Sequence, residues 1–323
     1  MIVTFTANPS LDRTVELGGP LLRGEVQRAV AVRQESGGKG VNVSRALVAS
    51  GLDTLAVLPG DPGDPVVVGL EARGVPFAAL PIGQTLRSNV TLTEPGGVTT
   101  KVNEPGPELT ADQQEQLLTL LVKQSSGASW VVLAGSLPPG VPASFYTSVA
   151  ERLRAEFGDD APKIAIDSSG APLEASLGGR PDLLKPNADE LAELAALVGL
   201  HDAGTPAELE ASPERAATAA RSLVNAGVGA VLATLGAKGA VLVTADGAWL
   251  ATHAPIRAVS TVGAGDSSLA GYLLADISGA DAEGRLRQAV AHGAAAASLP
   301  GSTVPAVNQT HPSAVTVTAL TKD

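Results

Sequence analysis

Ser260-Thr261-Val262-Gly263-Ala264-Gly265-Asp266-Ser267 is the stretch from which the rest of the chain is read. Two glycines and a carboxylate sit in a turn, and an apolar helical pattern begins directly after it (Leu269, Tyr272, Leu273, Leu274). Glycines let backbone N–H groups crowd together, and a helix start leaves its first N–H groups without partners. The result is an anion pocket suited to phosphate. A carboxylate at Asp266 conflicts with a second anion unless it removes a proton from a hydroxyl that attacks the bound phosphate. That is the layout of a phosphoryl-transfer site. A plain turn with an Asp helix cap gives the same local pattern, and taken alone the stretch leaves both readings open. It is not a dinucleotide fingerprint, because Ser268 stands where the third Gly is required. Nor is there a Walker A loop, since Gly38-Lys39 is followed by Gly40.

Working outward, short β-rich runs alternate with longer helical patterns. Strands are expected over 2–7, 54–59, 129–134, 163–167, 182–185 and 229–234. Helices are expected over 41–50, 65–73, 110–124, 143–156, 188–199, 213–226, 265–277 and 282–297. This repetition predicts an α/β fold, a mainly parallel sheet with helices on both faces, in one domain over 1–323. Residues 13–34 and 86–104 break the pattern with alternating Val, Thr, Leu and charged residues and with the pairs Gly18-Gly19 and Gly96-Gly97. They read as antiparallel strands that build a small sheet, a lid over the strand ends where open α/β sheets bind ligands. Leu22 to Val30 alternates like one of its strands. The stretch 201–212 reads as a surface connection.

Composition narrows the function classes. A formal charge of −11 argues against nucleic acid or an anionic membrane as the main partner. The absence of cysteine excludes disulfides, thiolate catalysis and cysteine-bound metal, and fits a cytoplasmic protein. No basic leader and no apolar run long enough to span a bilayer is apparent. The four histidines show no metal or triad spacing.

Several further motifs end strands or start helices. Gly37-Gly38-Lys39-Gly40-Val41-Asn42 is a second glycine-rich turn before a helix, with a charge and an amide to offer a ligand. Asp12 follows the first strand and can accept from ligand hydroxyls or close an Asx turn. Arg87 and Arg28 lie in the two insertions, and Arg clamps phosphate with paired hydrogen bonds. Ser136 follows the buried run Trp130 to Leu133. Lys185-Pro186-Asn187-Ala188-Asp189-Glu190 ends another strand, with Asn187 and Glu190 spaced as a capping box or as holders of Mg²⁺ through water. Thr234-Leu235-Gly236-Ala237-Lys238-Gly239 ends a third strand with a glycine turn open to nucleotide phosphates.

Together these motifs resemble the ribokinase-like (PfkB) family of sugar kinases, in the family's order and over nearly the whole chain. Thr261 to Ser267 looks like its C-terminal signature and Gly37 to Val43 like its N-terminal one. Ser36, where Ala or Pro is common, is a departure. Asn8-Pro9 with Asp12, Gly24-Glu25-Val26, Lys39, Arg87-Ser88-Asn89-Val90, Gly135-Ser136-Leu137-Pro138 and Asn103 to Pro107 are most similar to the branch whose sugars already carry a phosphate. The resemblance implies a ribokinase-like three-layer sandwich and ATP-dependent phosphorylation of a ketohexose phosphate. Fructose 1-phosphate is the leading substrate, and tagatose 6-phosphate and fructose 6-phosphate are the alternatives. An idle sugar-phosphate sensor on the same fold is the rival of another class.

By the same resemblance Asp266 is the base, and the amides of Gly263, Ala264 and Gly265 form the anion hole. Asp12, Gly38 and Asn42 hold sugar hydroxyls, while Lys39, Arg87 and Ser136 hold the substrate's phosphate. Lys185, Thr234, Gly236 and Gly239 meet ATP, with Asn187 and Glu190 around Mg²⁺. Family members often bind a monovalent cation, to which no ligands are assigned here. A homodimer through the lid is expected, with Arg28 reaching the neighbour's substrate.

Overall fold

The computed structural model describes residues 1–320. The first part of the chain forms β1 (Ile2–Phe5), β2 (Ser10–Leu17), β3 (Ala29–Gly37), α1 (Lys39–Ala49), β4 (Thr54–Pro59), α2 (Pro65–Ala72) and β5 (Phe77–Leu80). There follow β6 (Arg87–Thr93), β7 (Thr99–Asn103), α3 (Ala111–Gln124), β8 (Trp130–Ala134), α4 (Phe145–Phe157), β9 (Lys163–Asp167), α5 (Gly170–Ser176) and β10 (Leu183–Leu184). The rest is α6 (Ala188–Leu197), α7 (Pro206–Ala211), α8 (Pro213–Asn225), β11 (Ala230–Thr234), β12 (Ala240–Thr244), β13 (Ala248–His253), α9 (Ala264–Ile277), α10 (Ala282–Ala297) and β14 (Val315–Ala319).

Ten strands make one sheet in the order β14-β13-β12-β11-β10-β9-β8-β1-β4-β5. From β5 to β11 every pairing is parallel. The last three strands turn antiparallel. Alternation along the buried strands sends side chains to two cores. Ile2, Trp130, Val132 and Leu232 pack with α1, α9 and α10 on one face. Val3, Phe5, Val131, Leu133 and Val231 pack against the helices of the other face, α3, α4, α6 and α8 among them. The result is the expected three-layer α/β sandwich. Helix α8 shows why these segments are helical: Ala216, Ala219, Ala220 and Leu223 repeat at helical spacing and all four are buried. Small alanines fill much of this core, consistent with a chain that is only 2% aromatic.

Four strands form a second sheet in the order β3-β2-β6-β7. Each insertion forms an antiparallel pair as expected, but the two pairs join in parallel through β2 and β6, from Ser10 opposite Arg87 to Glu16 opposite Thr93, because a long crossover and not a hairpin connects them. Asp12, Thr14, Glu16, Asn89, Thr91, Thr93, Lys101 and Asn103 line the cleft beneath this sheet. The alternate positions Val32, Val15, Leu92, Val90 and Val102 therefore share the other face.

The structure corrects three expectations. Leu22 to Gln27 is not strand: Gly24 adopts φ 84° and the Gln27 amide bonds Pro20 O and Leu22 N, so a turn replaces the pairing that the alternation suggested. The stretch 201–212 holds α7, capped by Thr205 and Glu208. The hairpin β12–β13 and the strands β14 and β5 extend the two edges of the sheet where no strand was expected. Among the described residues no helix is long and apolar enough to cross a membrane.

Candidate active site

The carboxyl ends of the parallel strands gather the chemistry. Asn8 follows β1, Ser136 follows β8, Asp167 ends β9, Lys185 follows β10 and Thr234 ends β11. Ligands bind at this edge in open α/β sheets.

Helix α9 begins at Gly263, whose left-handed φ of 77° turns the chain into the helix. Ala264 N–H turns back to Thr261 O at 3.3 Å, and the amides of Gly263 and Gly265 take no partner among the described residues. A methyl group at Gly265 would lie 3.1 Å from Lys185 Nζ, so the glycine lets that ammonium stand against the turn. Asp266 sits in the first turn, 7% exposed, and its Oδ2 accepts from Asn42 Nδ2 at 2.9 Å. Burial pushes its carboxyl up to about 6, aided by the Asp167 carboxylate and opposed by the Asn42 hydrogen bond, Lys39 and Lys185. Such a group is ionised at neutral pH and still basic enough to accept a proton.

Asp167 is fully buried between two ammonium groups, with Lys39 Nζ 2.7 Å from Oδ1 and Lys185 Nζ 2.9 Å from Oδ2. Burial opposes its charge, but Lys185 and Lys39 outweigh burial and hold its carboxyl below the ordinary range. Burial alone would lower Lys39; the Asp167 charge instead keeps it well above the usual lysine value. Lys39 also lies beside the turn at Gly135, whose carbonyl accepts from Tyr146 Oη at 2.9 Å and Ser168 Oγ at 2.8 Å. Those two bonds fix the turn that presents Ser136, which Asn8 Nδ2 reaches at 3.4 Å.

The glycine run enters α1 in close contact with β1. A methyl at Gly38 would meet Thr6 Cγ2 at 2.7 Å, and one at Gly40 would meet Thr6 Oγ1 at 2.5 Å. Ser36, the departure noted above, donates to Val66 O at 2.7 Å and is a structural tie to α2. Asp12 lies against Gly37 and accepts from Ser10 Oγ at 2.7 Å and Asn89 Nδ2 at 3.1 Å. Arg87, on the same sheet, donates to Glu104 O at 3.3 Å, and its Nε is buried without a partner. Burial lowers its pKa, with Asp12 and Glu104 acting in the opposite direction. A cleft of about 570 Å³ runs under the small sheet to Thr261, Val262 and Ser302, within the usual size of small-molecule sites.

Asn187 and Glu190 form the expected capping box, 2.8 and 2.9 Å. Glu190 Oε2 is spent on the cap, Oε1 is not, and burial raises its pKa. A buried carboxylate with a spare oxygen fits a hydrated Mg²⁺. Thr234 pairs with Asn187 across β11, and Gly236 and Gly239, at φ 54° and 98°, shape the following turn. Arg28 is exposed in the connection before β3 and makes no hydrogen bond or ion pair with the other site residues among the described residues.

Sequence reasoning missed Asp167 and Arg45. The first carried a signal, an Asp ending an expected strand at the same edge as Ser136 and Lys185. Arg45 carried none, since it lies mid-helix among apolar residues; it is only 4% exposed.

A glycine turn at a helix start with a buried carboxylate, two lysines at the carboxyl edge of a parallel sheet and a polar cleft are the parts from which phosphoryl-transfer sites of the α/β class are built. The pfkB family carbohydrate kinase model matches residues 6–309, and the chain belongs to that family. It is 34% identical over 324 residues to the 1-phosphofructokinase of Rhodobacter capsulatus, covering 99% of this chain and 98% of that protein. It is 36% identical over 277 residues to the ATP-dependent 6-phosphofructokinase isozyme 2 of Mycobacterium tuberculosis, covering 83% of this chain and 76% of that one. The phosphofructokinase-2 of Escherichia coli, solved in complex with substrates and products, superposes with a TM-score of 0.84 at 30% identity over 95% of this chain and 96% of that one.

Proposed function

We propose that the protein uses ATP to convert fructose 1-phosphate to fructose 1,6-bisphosphate. The observation that carries this reading is the buried Asp266 carboxylate at the anion turn, with Lys39 and Lys185 held beside it by Asp167. Near end-to-end similarity to a 1-phosphofructokinase favours the 1-phosphate. Similarity to the 6-phosphofructokinase isozyme covers less of both chains.

Asp266 takes the proton of the C6 hydroxyl as its oxygen attacks the γ-phosphorus in line. The bond to the β,γ-bridging oxygen breaks and ADP leaves. The free amides of Gly263 and Gly265 and the Lys185 ammonium receive the charge on the transferring group, and Ala264 N–H joins them on leaving Thr261 O. Asn187 and Glu190 would hold Mg²⁺ through water, and the ion would neutralise charge on the β- and γ-phosphates. Thr234, Gly236 and Gly239 border the nucleotide. Asp12, Gly38 and Asn42 meet sugar hydroxyls, and Lys39, Arg87 and Ser136 meet the phosphate already present. The small sheet acts as a lid that excludes water.

The lid's outer face is apolar and uncovered: Val30 is 67% exposed, Val32 51% and Val102 57%. Such a face marks an interface, and its simplest cover is the same face of a second copy. Arg28, exposed in the connection before β3, would then serve the neighbouring site.

ADP release measured with fructose 1-phosphate, fructose 6-phosphate and tagatose 6-phosphate in turn tests the reading. The highest kcat/KM is expected with fructose 1-phosphate. A higher value with either 6-phosphate assigns the other substrate, and no ADP with any of them leaves a sugar-phosphate sensor.

A further inference from the structure

We propose that Arg45 is a positioning residue of the transfer reaction, holding the Asn42 amide so that its N–H faces the catalytic carboxylate; this rests on the reading of Asp266 as the base. Asn42 bonds at both ends. Its Nδ2 donates to Asp266 Oδ2 at 2.9 Å, and its Oδ1 accepts from Arg45 Nη1 at 3.1 Å. A carboxylate only accepts and a guanidinium only donates. The two neighbours therefore dictate one orientation of the amide. The flipped one would set oxygen against the carboxylate and NH₂ against the guanidinium.

Arg45 is itself held from behind. Its Nη2 lies 3.2 Å from Glu35 Oε2, and its Nη1 also reaches Ser36 O at 3.3 Å. Glu35, near the end of β3, further accepts from Ser302 Oγ at 2.6 Å and pairs with Arg73 at 3.2 Å. A buried arginine costs desolvation and is retained where its geometry matters. Here the fork of N–H donors meets the glycine-run backbone, the Asn42 amide and Glu35 at once, which a lysine cannot do.

The test uses the full-length enzyme. Arg45→Lys keeps a charge for Glu35 but loses the fork. Arg45→Met combined with Glu35→Gln removes both charges of the pair and supplies a second folded background. Expected for each is a fall in kcat of about 10–10²-fold, as for a misplaced reacting group, with KM for ATP changed less than about twofold. The acid limb of the pH profile should rise by about one unit, because Asp266 loses a donor while Asp167, Lys39 and Lys185 still face it. In an Asn42→Ala background, Arg45→Lys should add almost nothing to the loss. Unchanged kcat and acid limb in a folded Arg45 variant, or losses that simply add to those of Asn42→Ala, would overturn the proposal. Asp266→Asn is assayed beside them. Turnover retained there overturns the base assignment itself and the Arg45 proposal with it, whereas turnover lost there with unaffected Arg45 variants overturns the Arg45 proposal alone.

Discussion

Asn42 and Asp266 lie 224 positions apart in the chain, yet the amide of one donates to the carboxylate of the other at 2.9 Å. That bond favours the ionised carboxylate, and burial disfavours it more strongly.

The balance sets the first prediction. With Asp266 near 6, the ionised base is lost as pH falls through that value, so kcat/KM should fall about tenfold per unit below it. Asp266→Asn should reduce kcat by roughly 10²–10⁴-fold with sugar-phosphate binding kept, and turnover and isothermal titration read the two quantities separately. Near-normal turnover in the folded variant defeats the assignment.

Asp167→Asn leaves Lys39 and Lys185 without the charge between them. Breaking a buried ion pair from one side costs about 3–5 kcal/mol, so a clear fall in Tm is expected together with a loss of kcat. Denaturant titration and initial rates check this. A variant as stable and as fast as wild type would mean that the two lysines do not depend on Asp167.

Arg87→Ala should raise KM for the sugar phosphate and leave KM for ATP nearly unchanged, since Arg87 belongs to the small sheet beside Asp12 and Glu104. Equal rises in both constants, or a rise for ATP alone, place Arg87 elsewhere in the reaction.

His292 is buried, contacts Ser50 Oγ at 3.2 Å and Gln288 O at 3.1 Å, and has a pKa lowered by burial. The folded state prefers it neutral. Its stabilising contribution is full above the unfolded value of about 6.5 and is lost as pH falls below it. Asp266, with its raised value, acts in the opposite direction between about 6 and its ordinary value of 3.8. The comparison must therefore be with His292→Gln. Between pH 7.5 and 5.5 wild type should lose stability relative to that variant by urea unfolding. Parallel pH dependences would show that His292 does not titrate on unfolding.

Mixing Asp266→Asn subunits with Arg28→Ala subunits tests assembly. Mixed dimers hold one site with both intact residues, so activity should return on exchange. A monomer by light scattering, or no recovery after confirmed exchange, removes the proposed contribution in trans.

What the sequence disclosed was mostly local. The turn before α9, the capping box at Asn187 and Glu190 and the glycine run before α1 each announce themselves within a few residues, because backbone freedom and capping are short-range effects. The Lys39–Asp167–Lys185 cluster needs α1, β9 and the end of β10 brought side by side, and no spacing in the sequence encodes that. Leu22 to Gln27 misled because alternation has a strand's period wherever it occurs, and Gly24 with the Gln27 side chain decided the backbone instead. The β12–β13 hairpin was readable: Asp246-Gly247 between two apolar runs is a strong turn signal.

The parallel pairing of β2 with β6 also governs the order of assembly. Asp12 and Asn89 are 77 residues apart, and β3, α1, β4, α2 and β5 lie between them. Contacts that close so long a stretch of chain are entropically costly and form slowly. The large sheet closes a longer stretch still, Ile2 of β1 against Trp130 of β8, while the small sheet needs only its own two segments brought to the same edge. A chain emerging from the ribosome therefore presents both segments of the cover before β8, β9, β10 and β11, whose ends carry Ser136, Asp167, Lys185 and Thr234, and catalytic competence waits for α9 near the end of the chain.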